Sequence, residues 1–162
     1  MNHYYELTTS YVLTNVIAIL VTIVTMIRPQ AGRVFFGGLF IGAAAFNGVM
    51  VLLNPVAYMT FENLAILETY RFFIKHIFVQ QIAFYILLIA VAQGMIGTCL
   101  LYTNLFTRLA TVGAIIFFIG IAPLGEGSAF PSSLILATGM VILWRKQVEF
   151  QKIPTKRNTD VA

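Results

Sequence analysis

The chain has 162 residues, of which 59% are hydrophobic and only 10% charged, against about 45–50% and about 25% in an average soluble domain. A mean hydropathy of +0.88 excludes a water-facing surface free of large apolar patches. The formal charge of +4 comes from basic residues placed at the ends of uncharged stretches, with no basic stripe interleaved with aromatics, so nucleic acid is excluded as a partner.

A bilayer core of about 30 Å is crossed by about 20 helical apolar residues. The first uncharged run, 7–27, is closed by Arg28 and Pro29. It opens after His3 and Glu6, and no A-x-A site follows, so it reads as a span and not as a cleavable signal. The second run, 34–53, is closed by Asn54-Pro55. A more polar stretch from Val56 to His76 follows, carrying Glu62, Glu68, Arg71 and Lys75 among many aromatics. Amphipathic rings settle at the membrane–water boundary, so this stretch is expected to be an interfacial segment between helices 2 and 3, or a lid over a pocket. A third span is expected over 77–103 and a shorter fourth over 109–124, which Gly125-Glu126-Gly127 breaks. The fifth, 128–144, is stopped by Arg145-Lys146, and 151–162 reads as a basic cytoplasmic tail.

Five spans predict an orientation. With the C-terminus in the cytoplasm, Arg28, Arg33, Arg108, Arg145, Lys146, Lys152, Lys156 and Arg157 face inside, and only Arg71 and Lys75 face outside. That asymmetry is what the positive-inside rule asks for. The expected fold is therefore an all-α, integral membrane bundle of five transmembrane helices in one domain, residues 1–150. The N-terminus is expected outside and the C-terminus inside, across a bacterial inner membrane.

Small residues crowd the second span. Gly38 and Gly42 are four apart, as are Ala44 and Gly48, which lets helix backbones approach closely within the monomer or across a homodimer. Polar groups at membrane depth are costly and therefore informative. Asn15 lies in the first span, Asn47 in the second, Gln80 and Gln81 open the third, and Gln93 sits near its middle; each is expected to make an interhelical hydrogen bond. Glu126 is the carboxylate in the most apolar context, either exposed in its loop or partly buried between helix ends and compensated by Arg71, Lys75 or His76. Ser128 and Ser132 stand where hydroxyls cap a helix. Asn47, Gln93 and Glu126 form the candidate binding site, in the outer half of the bundle.

The single cysteine, Cys99, reads as a small buried hydrophobe. One thiol makes neither a disulfide nor a redox pair, and no metal site is written in the chain. His3 and His76 are the only histidines, which leaves no pair for a haem. No zincin, nucleophile-elbow, phosphate-loop or dinucleotide motif occurs, so no catalytic residue can be named.

From Arg33 onward the order of features resembles the DoxX-like family of small membrane proteins. Arg33-Val-Phe-Phe-Gly37 with Gly42 looks like the family's first block, and Asn54-Pro55 like its loop. Gln93-Gly94-Met-Ile-Gly97, through Leu100-Leu101 to Arg108-Leu-Ala110, looks like the second. The resemblance implies a four-helix core to which the first span is an N-terminal addition. The family includes a subunit of a thiosulfate:quinone oxidoreductase, proteins tied to membrane redox or thiol stress, and others linked to receptor assembly or cargo export. Here a neutral Gln93 occupies the family's acidic position, and Cys99 alone stands for its cysteine chemistry.

Three expectations follow. The first is a non-catalytic subunit or accessory protein that docks a membrane protein partner, or a second copy of itself, through small-residue faces. The second is a quinone- or lipid-binding component of a membrane redox system. The third, a small-solute transporter, has no intramembrane charge to couple to an ion and no internal repeat.

Overall fold

The computed structural model describes the backbone of residues 2–102, 105–128 and 130–152, and the side chains of 11–102, 106–125 and 130–147. Among the described residues the elements are helical and no strand occurs. The basic tail lies outside them from residue 153 onward.

The first two helices, α1 (Asn2–Ile27) and α2 (Pro29–Leu53), are separated by Arg28 alone. Pro29 suits a first helical turn, where its missing N–H would have no partner. Asn54 leaves the helix at φ −155°, ψ 72° because the ring of Pro55 disfavours helical geometry in the residue before it. A 3-10 turn (Pro55–Thr60), the short α3 (Phe61–Leu64) and the amphipathic α4 (Glu68–His76) make up the segment between the second and third long helices. A second 3-10 turn, Phe78–Gln81, leads into α5 (Ile82–Leu101). After it come α6 (Leu105–Ile121), a 3-10 turn (Ala122–Ser128) and α7 (Ser132–Lys152).

Three stretches are long and apolar enough to cross a membrane: Pro29–Leu53, Glu68–Leu101 and Phe106–Gly125. Tyr11–Ile27 is a shorter apolar helix. Their outward faces carry large apolar side chains such as Leu52, 82% exposed, which suits contact with hydrocarbon and not with water. Inside such a solvent each backbone group must be paired within the chain, and helices achieve that locally.

Element boundaries differ from the sequence expectation at every span. α1 starts at Asn2 and α2 at Pro29, before 7 and 34, and α7 runs on to Lys152, past 144. Three further differences have a local cause. The third long helix begins at Ile82 and not at 77, because Phe78–Gln81 winds as a tighter turn. The fourth is longer than 109–124, since it starts at Leu105 and is continued by a 3-10 turn to Ser128. The fifth starts at Ser132 and not at 128, because Pro131 intervenes.

The five long helices close into a ring: α1 packs on α2, α2 on α5, α5 on α6, α6 on α7, and α7 back on α1. At the α2–α5 crossing, Gly37 and Gly97 stand backbone to backbone. A Cβ on Gly97 would lie 2.8 Å from the Gly37 carbonyl oxygen and 2.9 Å from the Ile41 nitrogen. The small-residue prediction is thus corrected in register. Gly38, Gly42 and Gly48 have open space where a Cβ would sit, and the packed face is Gly37 with Ala44, against Gly97 and Gly94.

One end of the ring's interior is filled. Phe36, Phe40, Leu100, Phe118, Met140 and Leu143 are buried in one cluster. Phe40 meets Phe117 and Phe118 at ring distances of 5.5 and 5.2 Å, within the range of favourable tilted and edge-on pairs. Half-buried Cys99 packs against this cluster, as a small apolar side chain would.

Candidate ligand-binding cavity

Toward the other end a second buried cluster, Val51, Tyr58, Ile74, Phe78 and Ile86, surrounds an opening. A cavity of about 520 Å³ lies beyond the Phe40–Phe118 plug, at the end where α2 finishes and α5 begins. This volume falls in the range that holds a drug-sized molecule. Its walls come from each of the five long helices, including Thr14 of α1, Ala43 of α2, Ile89 of α5, Phe117 of α6 and Leu136 of α7. The segment between α2 and α5 covers part of it, with Tyr58, Phe61, Tyr70, Phe73 and Ile74 in its lining.

That segment is held down at named points. The Ile66 backbone N–H donates to the Pro123 carbonyl at 2.8 Å. The Tyr70 hydroxyl donates to the Gly120 carbonyl at 2.8 Å, and within the segment Arg71 Nε donates to the Ala65 carbonyl at 2.8 Å. Gly125 permits this docking. It sits at φ 66°, ψ −133°, a region close to glycine-only geometry, and a Cβ there would overlap the Leu64 carbonyl oxygen. The broken Gly-Glu-Gly stretch therefore serves as the seat of the lid.

Two of the three residues expected to form a site come together. Asn47 Nδ2 donates to Gln93 Oε1 at 2.7 Å, bridging α2 and α5. A third member was not foreseen: the Tyr58 hydroxyl donates to Asn47 Oδ1 at 2.6 Å. Tyr58 is reached only because the chain folds back after Asn54-Pro55, and its place among many interfacial aromatics carried no sequence signal. Gln93 is 4% exposed and Tyr58 9%. Burial pushes the Tyr58 phenol above its ordinary 10.0, so it stays protonated and acts as a donor. The Gln93 Nε2 group takes no partner from the protein and borders the cavity. Glu126 lies in the turn that follows α6, and its side chain falls outside the described residues.

Other polar expectations are placed elsewhere. Asn15 does not bridge helices; its Nδ2 donates to the Tyr11 carbonyl one turn back, at 2.9 Å. Gln80 does the same to His76, at 2.7 Å, and both Gln80 and Gln81 are exposed. His76 stacks on Phe72 with ring centroids 4.4 Å apart. Ser132 is the first residue of α7 and not its cap. Ser133 Oγ is buried without a partner, and both serines line the cavity. Among the described residues no group of three His, Cys, Asp or Glu side chains could hold a metal ion.

Fold and site together define a helical bundle with candidate membrane-crossing helices around an apolar, lidded cavity. Comparison with protein-family models, curated proteins and solved structures gives no match for the chain.

Proposed function

We propose that this chain is a five-span membrane protein, N-terminus outside and C-terminus inside, that binds a lipophilic small molecule in the lidded cavity as a component of a membrane redox or lipid-handling system. The observation that carries the reading is the pairing of a large apolar hollow with one converging polar chain, Tyr58–Asn47–Gln93. Few polar groups in a mostly apolar pocket are the usual composition of a site that orients a ligand. A quinone or a lipid suits these walls. The DoxX-like resemblance favours the same classes, and the ring of helices is compatible with a four-helix core plus α1.

Native mass spectrometry of the gently solubilised protein, followed by organic extraction, tests the proposal. A bound quinone or lipid in the wild type that is lost in Asn47→Leu supports it. A bare protein sinks it. Orientation is tested separately by Thr155→Cys in a Cys99→Ala background, which an impermeant maleimide should label only after the membrane is opened.

A second reading, an accessory protein that docks a partner or another copy of itself, is favoured by one observation. Gly38, Gly42 and Ala45 form a small-residue face on α2 that stays exposed. A stoichiometric polypeptide retained on purification, with no small molecule, would move the assignment there.

A further inference from the structure

The direction of the hydrogen bonds in the polar chain restricts the ligand, provided the binding reading above holds. Tyr58 O–H has one acceptor, Asn47 Oδ1. That bond fixes which way the Asn47 amide faces, and leaves its Nδ2 to donate to Gln93 Oε1. Gln93 is then fixed as well: its oxygen is engaged and its amide nitrogen, with two N–H donors, is left to the cavity. Reversing both amides would strand the phenol proton without an acceptor in a nearly dry setting, which costs about as much as a lost buried hydrogen bond. The walls around this nitrogen are almost entirely aliphatic and aromatic. A residue 4% exposed with an unpartnered donor aimed into an apolar hollow is a binding point for an acceptor.

We infer that the cavity selects an apolar molecule whose polar end is a carbonyl oxygen with no donor of its own, held by Gln93 Nε2, and discriminates against the corresponding hydroxyl. The Ser133 hydroxyl, a buried polar atom of the wall without a partner, can turn to give or to take and sets no polarity. An alcohol accepting from Gln93 must place its own proton on an oxygen that already accepts a bond, Asn47 Oδ1 or Gln93 Oε1, and one donating to Ser133 leaves Gln93 unmade. A carbonyl at Gln93 leaves no ligand group unsatisfied. A quinone ring and an acyl ester share this chemistry.

The test uses the full-length protein in nanodiscs with tritiated octanophenone, an aryl ketone with an alkyl tail, and competes it with the unlabelled ketone or with its reduction product, 1-phenyloctan-1-ol. The alcohol is expected to compete about tenfold more weakly than the ketone, the cost of one buried donor without an acceptor of its own. Tyr58→Phe removes the proton that orients both amides, so the ratio should fall toward one while the ketone still binds. Equal competition by ketone and alcohol in the wild type overturns the inference and leaves the binding reading standing; so does a ratio that survives in Tyr58→Phe. Absence of saturable ketone binding refutes the binding reading itself, and the inference with it. Decylubiquinone and methyl oleate then separate the two sources, as the one that displaces the ketone names the class; displacement by neither counts against a carbonyl ligand.

Discussion

Gly97→Ala adds one methyl group at the closest point of the ring. Its carbon would lie 2.8 Å from the Gly37 carbonyl oxygen and from Ile41 Cγ1, and 2.9 Å from the Ile41 nitrogen. Two of these neighbours are backbone, so they cannot swing aside, and α5 must move from α2 by roughly half an ångström to reach ordinary contact. Forcing a methyl into a packed contact costs about 1–3 kcal/mol, while replacing glycine in a helix returns up to about 1 kcal/mol. The expected net loss is about 1–2 kcal/mol. Gly42→Ala is the control: nothing lies within 4 Å of its Cβ position, so it keeps the helical gain without the clash. Thermal unfolding in detergent should place Gly97→Ala below the wild type and Gly42→Ala at or above it. The same separation stretches the 2.7 Å Asn47–Gln93 bond toward the limit of a good N–H···O distance, so ligand retention should fall as well. Equal stability of the two variants would refute the close-packed crossing as the feature that sets the geometry of the site.

Three further outcomes are expected. Gly125→Ala places a side chain at φ 66° and against Leu64, at a cost of about 1–3 kcal/mol, and limited proteolysis should find residues 55–76 cut faster than in the wild type. Tyr70→Phe removes one tether to the Gly120 carbonyl and should speed ligand release with little change in melting temperature, since one such bond contributes only about 0.5–1.5 kcal/mol. For Tyr58, whose phenol burial raises above 10.0, the folded chain keeps a proton that the unfolded chain gives up. Its contribution is therefore complete below about pH 10 and is lost as pH rises through the folded value. Stability in alkali should fall more steeply for the wild type than for Tyr58→Phe.

Much of the helical architecture was legible in the long uncharged runs of the sequence. Uncharged runs bounded by Arg28-Pro29, Asn54-Pro55 and Arg108 locate the long helices to within a few residues, since a charge or a broken helix at depth is expensive. The same argument found Asn47 and Gln93, whose amides had to be paired with something. It did not say with what. A stripe of small residues tells that a close approach exists but not which face makes it, so Gly38 and Gly42 read as the contact although Gly37, one position away, is the residue that meets Gly97. The place of Tyr58 in the polar chain and the seat of the segment at Gly125 escaped for a related reason. Between Asn54 and Ile82 the fold is set by backbone turns and by the seat at Gly125, neither of which has a hydrophobic period to read.

The closure of the ring by α1 against α7 bears on how the protein folds. The two helices stand at opposite ends of the sequence, yet Thr22 Oγ1 donates to the Ile135 carbonyl at 3.1 Å, and Gly139 brings α7 close to Thr22 and Phe36. Thr22 Oγ1 also donates to the Ala18 carbonyl one turn back at 2.9 Å, so α1 satisfies this hydroxyl alone and α7 adds a second acceptor when the ring closes. The ring therefore closes through a contact between helices far apart in the sequence, the kind of non-local pairing that forms slowly in folding.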